Sequence, residues 1–298
     1  PLERFTEDAL RIMRAVRFSA QLGFTIEEET RKALKVLAPN LKHVSAERIQ
    51  VELVKLVTSK HPEELLTAYE TGITSVILPE FDLCMETEQH NPHHLYNVGM
   101  HTIHAMEVIP ADKVLRLAML FHDMGKPVCR ETDERGIDHF HGHPQVSEEI
   151  TGKVLRRLKF DNDTVYMVKK LVRCHDQYIP ADERGVRRAM WRVGEDAFPL
   201  LLQVKKADME AQSTFLIEEK EKNLQEVGRI YQEILEKKQC VSLKTLAVNG
   251  KDLMDEAGYV PGKELGTILQ ELLQLVIEEP ELNDKRTLLK EARQRRNR

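Results

Sequence analysis

His122 and Asp123 stand side by side in Leu120-Phe121-His122-Asp123-Met124-Gly125-Lys126, at the end of an apolar run. An imidazole and a carboxylate at the edge of a core offer a nitrogen and an oxygen to a divalent cation, provided that other ligands converge on them. Two are available: His101 in Met100-His101-Thr102 and Asp208 in Lys205-Lys206-Ala207-Asp208, each amid core-forming residues such as Val98, Ile103, Leu201 and Val204. Burying an unpaired carboxylate or imidazole there is costly, and a shared cation removes the cost. Two histidines and two aspartates without a thiolate suit Mn, Co, Ni, Mg or Fe better than structural zinc, and leave positions open for water and a phosphate oxygen. His143 in Gly142-His143-Pro144 and His175 in Cys174-His175-Asp176 are placed to bind substrate phosphate, to act as general acid or to hold a second metal. With Lys126 they are the candidate catalytic residues. A His-Asp dipeptide alone is commonplace at capped helices and surfaces; the ordered set His, His-Asp, His, His, Asp is not. His93, His94, His104, His139 and His141 read as loop or surface residues.

Helices must position these groups. Thr6 and Asp8 open a helix whose apolar residues run from Ala9 to Leu22 before Gly23 stops it. A second covers Ile26 to about Leu37, a third follows Ser45 with a stripe of Ile49, Leu53, Leu56 and Val57, and a fourth spans Pro62 to Gly72. The polar, Pro- and His-rich stretch from Phe81 to His94 reads as a loop, and no alternating strand pattern of useful length occurs. Further helices are expected over roughly 95–108, 114–124, 145–158, 161–175, 185–193, 198–212 and 215–238. The fold class is therefore all-α, with neck helices at 1–60, a body helix and linker at 61–90, the metal-site domain at 91–214 and a helical body and tail at 215–298.

Hydrophobic residues make up 41% and charged residues 31% of the 298, without a long apolar run, which points to a cytoplasmic protein with no membrane partner. Cys84, Cys129, Cys174 and Cys240 are far apart and read as reduced thiols. A net charge of −5 excludes a protein that is basic all over, yet Lys285, Arg286, Lys290 and Arg293 open a strongly positive C-terminal tail. Such a patch can hold a nucleic-acid backbone, or it can be a solvated helix end. The chain opens at Pro1 and enters a helix within a few residues, which suggests a cut in a longer protein.

Arg4-Phe5-Thr6-Glu7-Asp8-Ala9-Leu10-Arg11 and its continuation to Phe18, Ser45-Ala46-Glu47-Arg48-Ile49 with Glu52-Leu53, Val248-Asn249-Gly250-Lys251-Asp252-Leu253 and Pro261-Gly262-Lys263-Glu264-Leu265-Gly266 carry a resemblance. Over nearly its whole length the chain resembles the bacterial tRNA nucleotidyltransferase and poly(A) polymerase family, in particular CCA-adding enzymes with an HD domain, whose order of His and Asp ligands it shares. The resemblance implies that Asp8 and Arg11 read the incoming base of CTP or ATP, with Glu7 holding Arg11 or a neighbour. A carboxylate accepting an exocyclic amino group beside a guanidinium donating to ring acceptors imitates a pairing edge. It implies an HD site that hydrolyses phosphoesters such as 2′,3′-cyclic phosphates or nucleotide monoesters with Mg, Mn, Ni or Co, and a tail that contacts tRNA through Lys285, Arg286, Lys290 and Arg293. The family's catalytic head, with paired Asp-x-Asp carboxylates, has no counterpart before Glu7. Asp161-Asn162-Asp163 opens a helix and reads as an N-cap. The expectation is the C-terminal part of such an enzyme, unable to transfer nucleotides by itself. A stand-alone HD phosphohydrolase and a non-catalytic tRNA-binding scaffold are the alternatives.

Overall fold

The structure is a computed structural model that describes residues 1–296. It is helical throughout, as expected, apart from one two-residue antiparallel ladder, Glu131–Thr132 against Asp138–His139. The chain divides into two compact units: Pro1–Gln177 with Leu200–Glu218, and Tyr178–Pro199 with the residues from Glu219 onward. Residues 178–199, expected in the metal-site domain, thus group with the C-terminal residues, while the expected neck shares a unit with the metal-site helices.

In the first unit the neck departs from expectation at Asp8. A short helix, Leu2–Glu7, ends there: Asp8 is extended at φ −145° and ψ 103°, and its Oδ1 accepts from Leu10 N at 3.1 Å. An Asp side chain that satisfies an early helix amide favours a cap over a helix interior, so the main neck helix is Leu10–Leu22. It stops as foreseen at Gly23, whose left-handed φ of 68° lets its N–H reach Ser19 O. This helix packs on Ala46–Val57. Their buried seam holds an ion pair, Arg17 Nε to Glu52 Oε2 at 2.9 Å.

The expected loop after Phe81 begins later, because Pro79–Met85 is a helix with Phe81 and Cys84 fully in the core. Four longer helices follow, Val98–Val108, Lys113–Phe121, His143–Arg157 and Asn162–Cys174, with the short helix Lys126–Cys129 between the second and third, and Phe198–Glu210 enters the unit at Leu200. Asn97, Asp112 and Asp161 each accept from early helix amides, which starts three of these helices where an apolar stripe begins. The second unit packs Gly250–Ala257, Lys263–Glu278 and Lys285–Arg296 around Leu253, Leu272, Val276, Leu288 and Ala292. Asn249 and Asp252 form a reciprocal capping box at its first helix. All four cysteines are free thiols. Among the described residues no helix is long and apolar enough to cross a membrane.

Replacing Glu52 with Ala strands the Arg17 guanidinium in the neck seam without its counter-charge. Glu52→Ala is expected to lower stability by about 3 kcal/mol, read as an earlier urea midpoint than the parent's; coincident unfolding curves would show the pair to be inert.

Candidate metal centre

Lys113–Phe121 delivers His122 and Asp123 directly past its last turn, and both are buried, with relative exposures of 0% and 1%. His101, from the middle of Val98–Val108, meets them. Its Nε2 lies 2.9 Å from Asp208 Oδ1, 3.2 Å from His122 Nε2 and 3.7 Å from Asp123 Oδ2. His122 Nε2 is 3.2 Å from Asp123 Oδ2 and 3.6 Å from Asp208 Oδ1. The four residues expected to hold a cation are therefore brought together. His143, at the start of one helix, and His175, at the end of the next, approach the other oxygen of the same carboxylate: Asp123 Oδ1 lies 3.3 and 3.5 Å from their Nε2 atoms, which are 3.3 Å apart. Asp123 thus faces two clusters, one with each oxygen.

The proton inventory decides what these clusters suit. His122, His143 and His175 each place Nδ1 against the carbonyl three residues earlier, Met119 O at 2.6 Å, Phe140 O at 2.9 Å and Val172 O at 2.7 Å, and His101 Nδ1 faces Ala211 O at 3.3 Å. A carbonyl only accepts, so each Nδ1 carries a hydrogen and Nε2 faces inward, where the ring offers a lone pair to a cation that takes the place of any proton there. Four lone pairs and two carboxylates then converge with Lys126 as the nearby donor. Asp123 Oδ2 has no well-formed hydrogen bond, although the Lys126 ammonium is 2.7 Å away. Opposed acceptors at these separations repel unless a cation sits between them. An octahedral ion with bonds of about 2.1 Å holds adjacent ligand atoms about 3.0 Å apart, close to the spacings found. The residues fit a divalent cation, and the second-sphere carbonyls fix the imidazoles as metal-binding histidines require.

Burial alone would lower the His122 pKa, but the Asp123 and Asp208 carboxylates lift it to about 10, so that without a cation a proton supplies the positive charge and a bound metal must displace it. Burial would raise both carboxylates, yet His122 and Lys126 hold Asp123, and His101 and His122 hold Asp208, well below the usual range. The cluster demands positive charge. Lys126 is itself buried, donating to Gln89 Oε1 at 2.8 Å.

His94 belongs to a loop, as expected, but its ring turns toward the site, which sequence reasoning missed: it meets His101 edge-on at 5.0 Å and its Nε2 lies 3.4 Å from Lys126 Nζ. Burial, reinforced by Lys126, pushes its pKa down to about 2 and so keeps it neutral. Its Nδ1 is buried without a partner. The polar loop lacks any periodicity that would have marked this inward turn. His104, by contrast, pairs with Glu107, and His139 stacks on His141, as surface residues do. Gly125 closes the site on the far side: a Cβ there would come within 2.5 Å of His143 O and 2.7 Å of Ser147 N.

The other expected sites are placed separately. Glu7 accepts from Arg11 at 2.7 Å, as foreseen, but Asp8 has left the helix and lies 3.3 Å from Arg48, so Asp8 and Arg11 do not share one helix face. In the tail, Lys285 is paired with Asp252 at 2.6 Å and Glu256 at 2.9 Å, and Arg293 donates to Glu256 O at 2.7 Å. Arg286 and Lys290 are exposed. Asp161 accepts from Thr164 N and is a helix cap, as expected of the lone Asp-x-Asp.

Comparison with known proteins gives this architecture relatives. Residues 131–292 match the family described as "tRNA nucleotidyltransferase domain 2 putative", and residues 23–85 the family described as "Probable RNA and SrmB- binding site of polymerase A". An A-adding tRNA nucleotidyltransferase of Deinococcus radiodurans is 32% identical, over 90% of this chain and 64% of its own length. A CC-adding tRNA nucleotidyltransferase of Thermus thermophilus is 34% identical over 91% and 63%, and a CCA-adding enzyme of Limosilactobacillus reuteri 29% identical over 98% and 61%. The chain therefore spans under two thirds of the length of these curated relatives. With a family match covering more than half of its residues, the chain belongs to the tRNA nucleotidyltransferase family.

Proposed function

We propose that this chain is the C-terminal part of a CCA-adding tRNA nucleotidyltransferase, a cytoplasmic enzyme that builds or repairs the tRNA 3′ end from CTP and ATP, and that its HD centre is a metal-dependent phosphohydrolase. The observation that carries the second half is the convergence of four imidazole lone pairs and two carboxylates around Asp123. A divalent cation such as Mg, Mn, Ni or Co held by His101, His122, Asp123 and Asp208 supplies Lewis-acid polarisation of a phosphoryl group and activation of water. The chain's own residues do the rest. The carbonyl bonds to Nδ1 keep every Nε2 aimed inward, so no ligand must rotate into place. Lys126 holds a fixed positive charge beside the anionic group of a phosphoester. His143 and His175 flank the opposite oxygen of Asp123, in position to bind a phosphate oxygen or hand a proton to the leaving alkoxide. Glu7, Asp8 and Arg11 remain the proposed base-reading residues of the parent enzyme; Asp8 is held by Arg48 until a nucleotide competes for it.

A chromogenic phosphomonoester should be hydrolysed only with added Mn, Ni, Co or Mg. Asp123→Ala should abolish turnover, and Lys126→Met should lower kcat by about 100-fold, the size of a lost charge-stabilising donor. Full activity of Asp123→Ala in chelator would sink the assignment. The same preparation should leave a tRNA lacking its terminal nucleotides unextended, since its one Asp-x-Asp is spent on a helix cap; extension by these 298 residues would refute that account. In the tail, Arg286→Ala and Lys290→Ala should each reduce the log-log salt slope of tRNA binding by about one unit. Lys285→Ala, whose charge is occupied by Asp252 and Glu256, should reduce it less. Equal slopes for all three variants and the parent would remove the tail from the tRNA contact.

A further inference from the structure

Trp191 is the only tryptophan of the chain, and the helix Glu183–Val193 leaves it 37% exposed. Single exposed aromatic rings are ordinary, but the setting of this one is specific. Arg184, Arg188, Trp191 and Arg192 fall at i, i+4, i+7 and i+8, one stripe of the helix, while Val186, Met190 and Val193 bury the other side. Arg187 wedges the helix in place by donating to Ile277 O at 2.8 Å and Gln239 Oε1 at 3.1 Å. The stripe borders a groove of about 230 Å³ lined by Arg188, Trp191, Arg192, Gln274, Ile277 and Glu278. That is less than the roughly 300–1,000 Å³ of pockets that enclose whole small molecules, and it suits one flat group with its remainder outside. Glu278 accepts from Arg188 at 2.5 and 2.7 Å and lies 3.4 Å from Arg184, which holds both guanidinium groups in fixed positions beside the stripe. The lining carries two guanidinium groups against one carboxylate.

We infer that this groove is a contact for single-stranded RNA: one unpaired base stacks on Trp191, the Gln274 amide meets its edge, and the adjoining phosphates lie against Arg184 and Arg192. Aromatic faces bordered by cations hold unpaired nucleotides in this way, because every base has a π-face and every linkage a negative charge. An acidic peptide would use the arginines but give the indole and the amide nothing to do. The inference rests on the tRNA reading above and adds a contact on this helix to the tail.

The sole tryptophan makes the test direct. The whole chain is titrated with a fluorescein-labelled single-stranded oligoribonucleotide, following the label's polarisation for binding and the Trp191 emission for the site. Binding with quenched emission is expected, both weakening with salt. Trp191→Ala should raise the Kd about tenfold and Trp191→Phe should leave it within about threefold of the parent, since a phenyl ring still stacks; unchanged circular dichroism checks the fold of each. Binding with unaltered emission, or an unchanged Kd for Trp191→Ala, would overturn the groove while leaving the tRNA reading standing. No polarisation change with either the oligonucleotide or a full tRNA would overturn the tRNA reading and the groove with it. Equal quenching by poly-glutamate would show a general anion surface and overturn the assignment to RNA.

Discussion

A carboxylate sealed from water stays charged only if something positive meets it, and Asp123 is sealed with both of its oxygens facing histidines. Much of the first unit can be understood as serving that demand. Lys126 brings an ammonium to one oxygen, and Gln89 satisfies that ammonium in turn. Three helix ends, at His122, His143 and His175, put imidazoles around the carboxylate, and a helix distant in sequence brings Asp208 to the fourth, His101. Removing Asp123 leaves the buried Lys126 ammonium without its counter-charge, and removing Lys126 does the same to Asp123, so the two are coupled.

The second unit solves a different problem with guanidinium groups. Arg187 is buried and spends its donors on the C-terminal carbonyl of Ile277 and on Gln239, while Arg188 and Arg184, on the exposed side, converge on Glu278. Lys285 and Arg293 behave likewise toward Asp252 and Glu256. A stretch that reads in sequence as free positive charge is partly internal bracing.

What could be read from the sequence was what local rules write. The stripe Leu115, Leu117, Leu120 and Phe121 with Asp112 before it specifies a capped helix, and the His-Asp at its end falls where such a helix meets the core. The convergence of His101, His122, Asp123 and Asp208 was legible because a His or Asp buried among apolar neighbours must meet a counter-charge or a cation. Three features were not legible, for one reason: each depends on a partner remote in sequence or on a choice between near-equal local states. His94 is turned inward by His101 and Lys126. Asp8 chooses a cap over a helix interior and is then engaged by Arg48, forty residues away. The ladder at Glu131 and His139 has two residues per strand, too few for any alternation to register, and owes its turn to Gly136 and to Asp133 accepting from two amides.

The repeated bond from a histidine Nδ1 to the carbonyl three residues earlier has a consequence for how the site comes into being. His122, His143 and His175 are each oriented by a partner within their own turn of chain, so their alignment is complete once those turns have formed and requires no tertiary contact. His101 differs: its Nδ1 waits for Ala211 and its Nε2 for Asp208, closures of 110 and 107 residues. Local contacts close early in folding and distant ones late, because the entropy of loop closure must be met first. Three of the four inward-facing imidazoles are therefore oriented by their own turns of chain, whereas His101 is oriented only when the long loop to Asp208 and Ala211 closes.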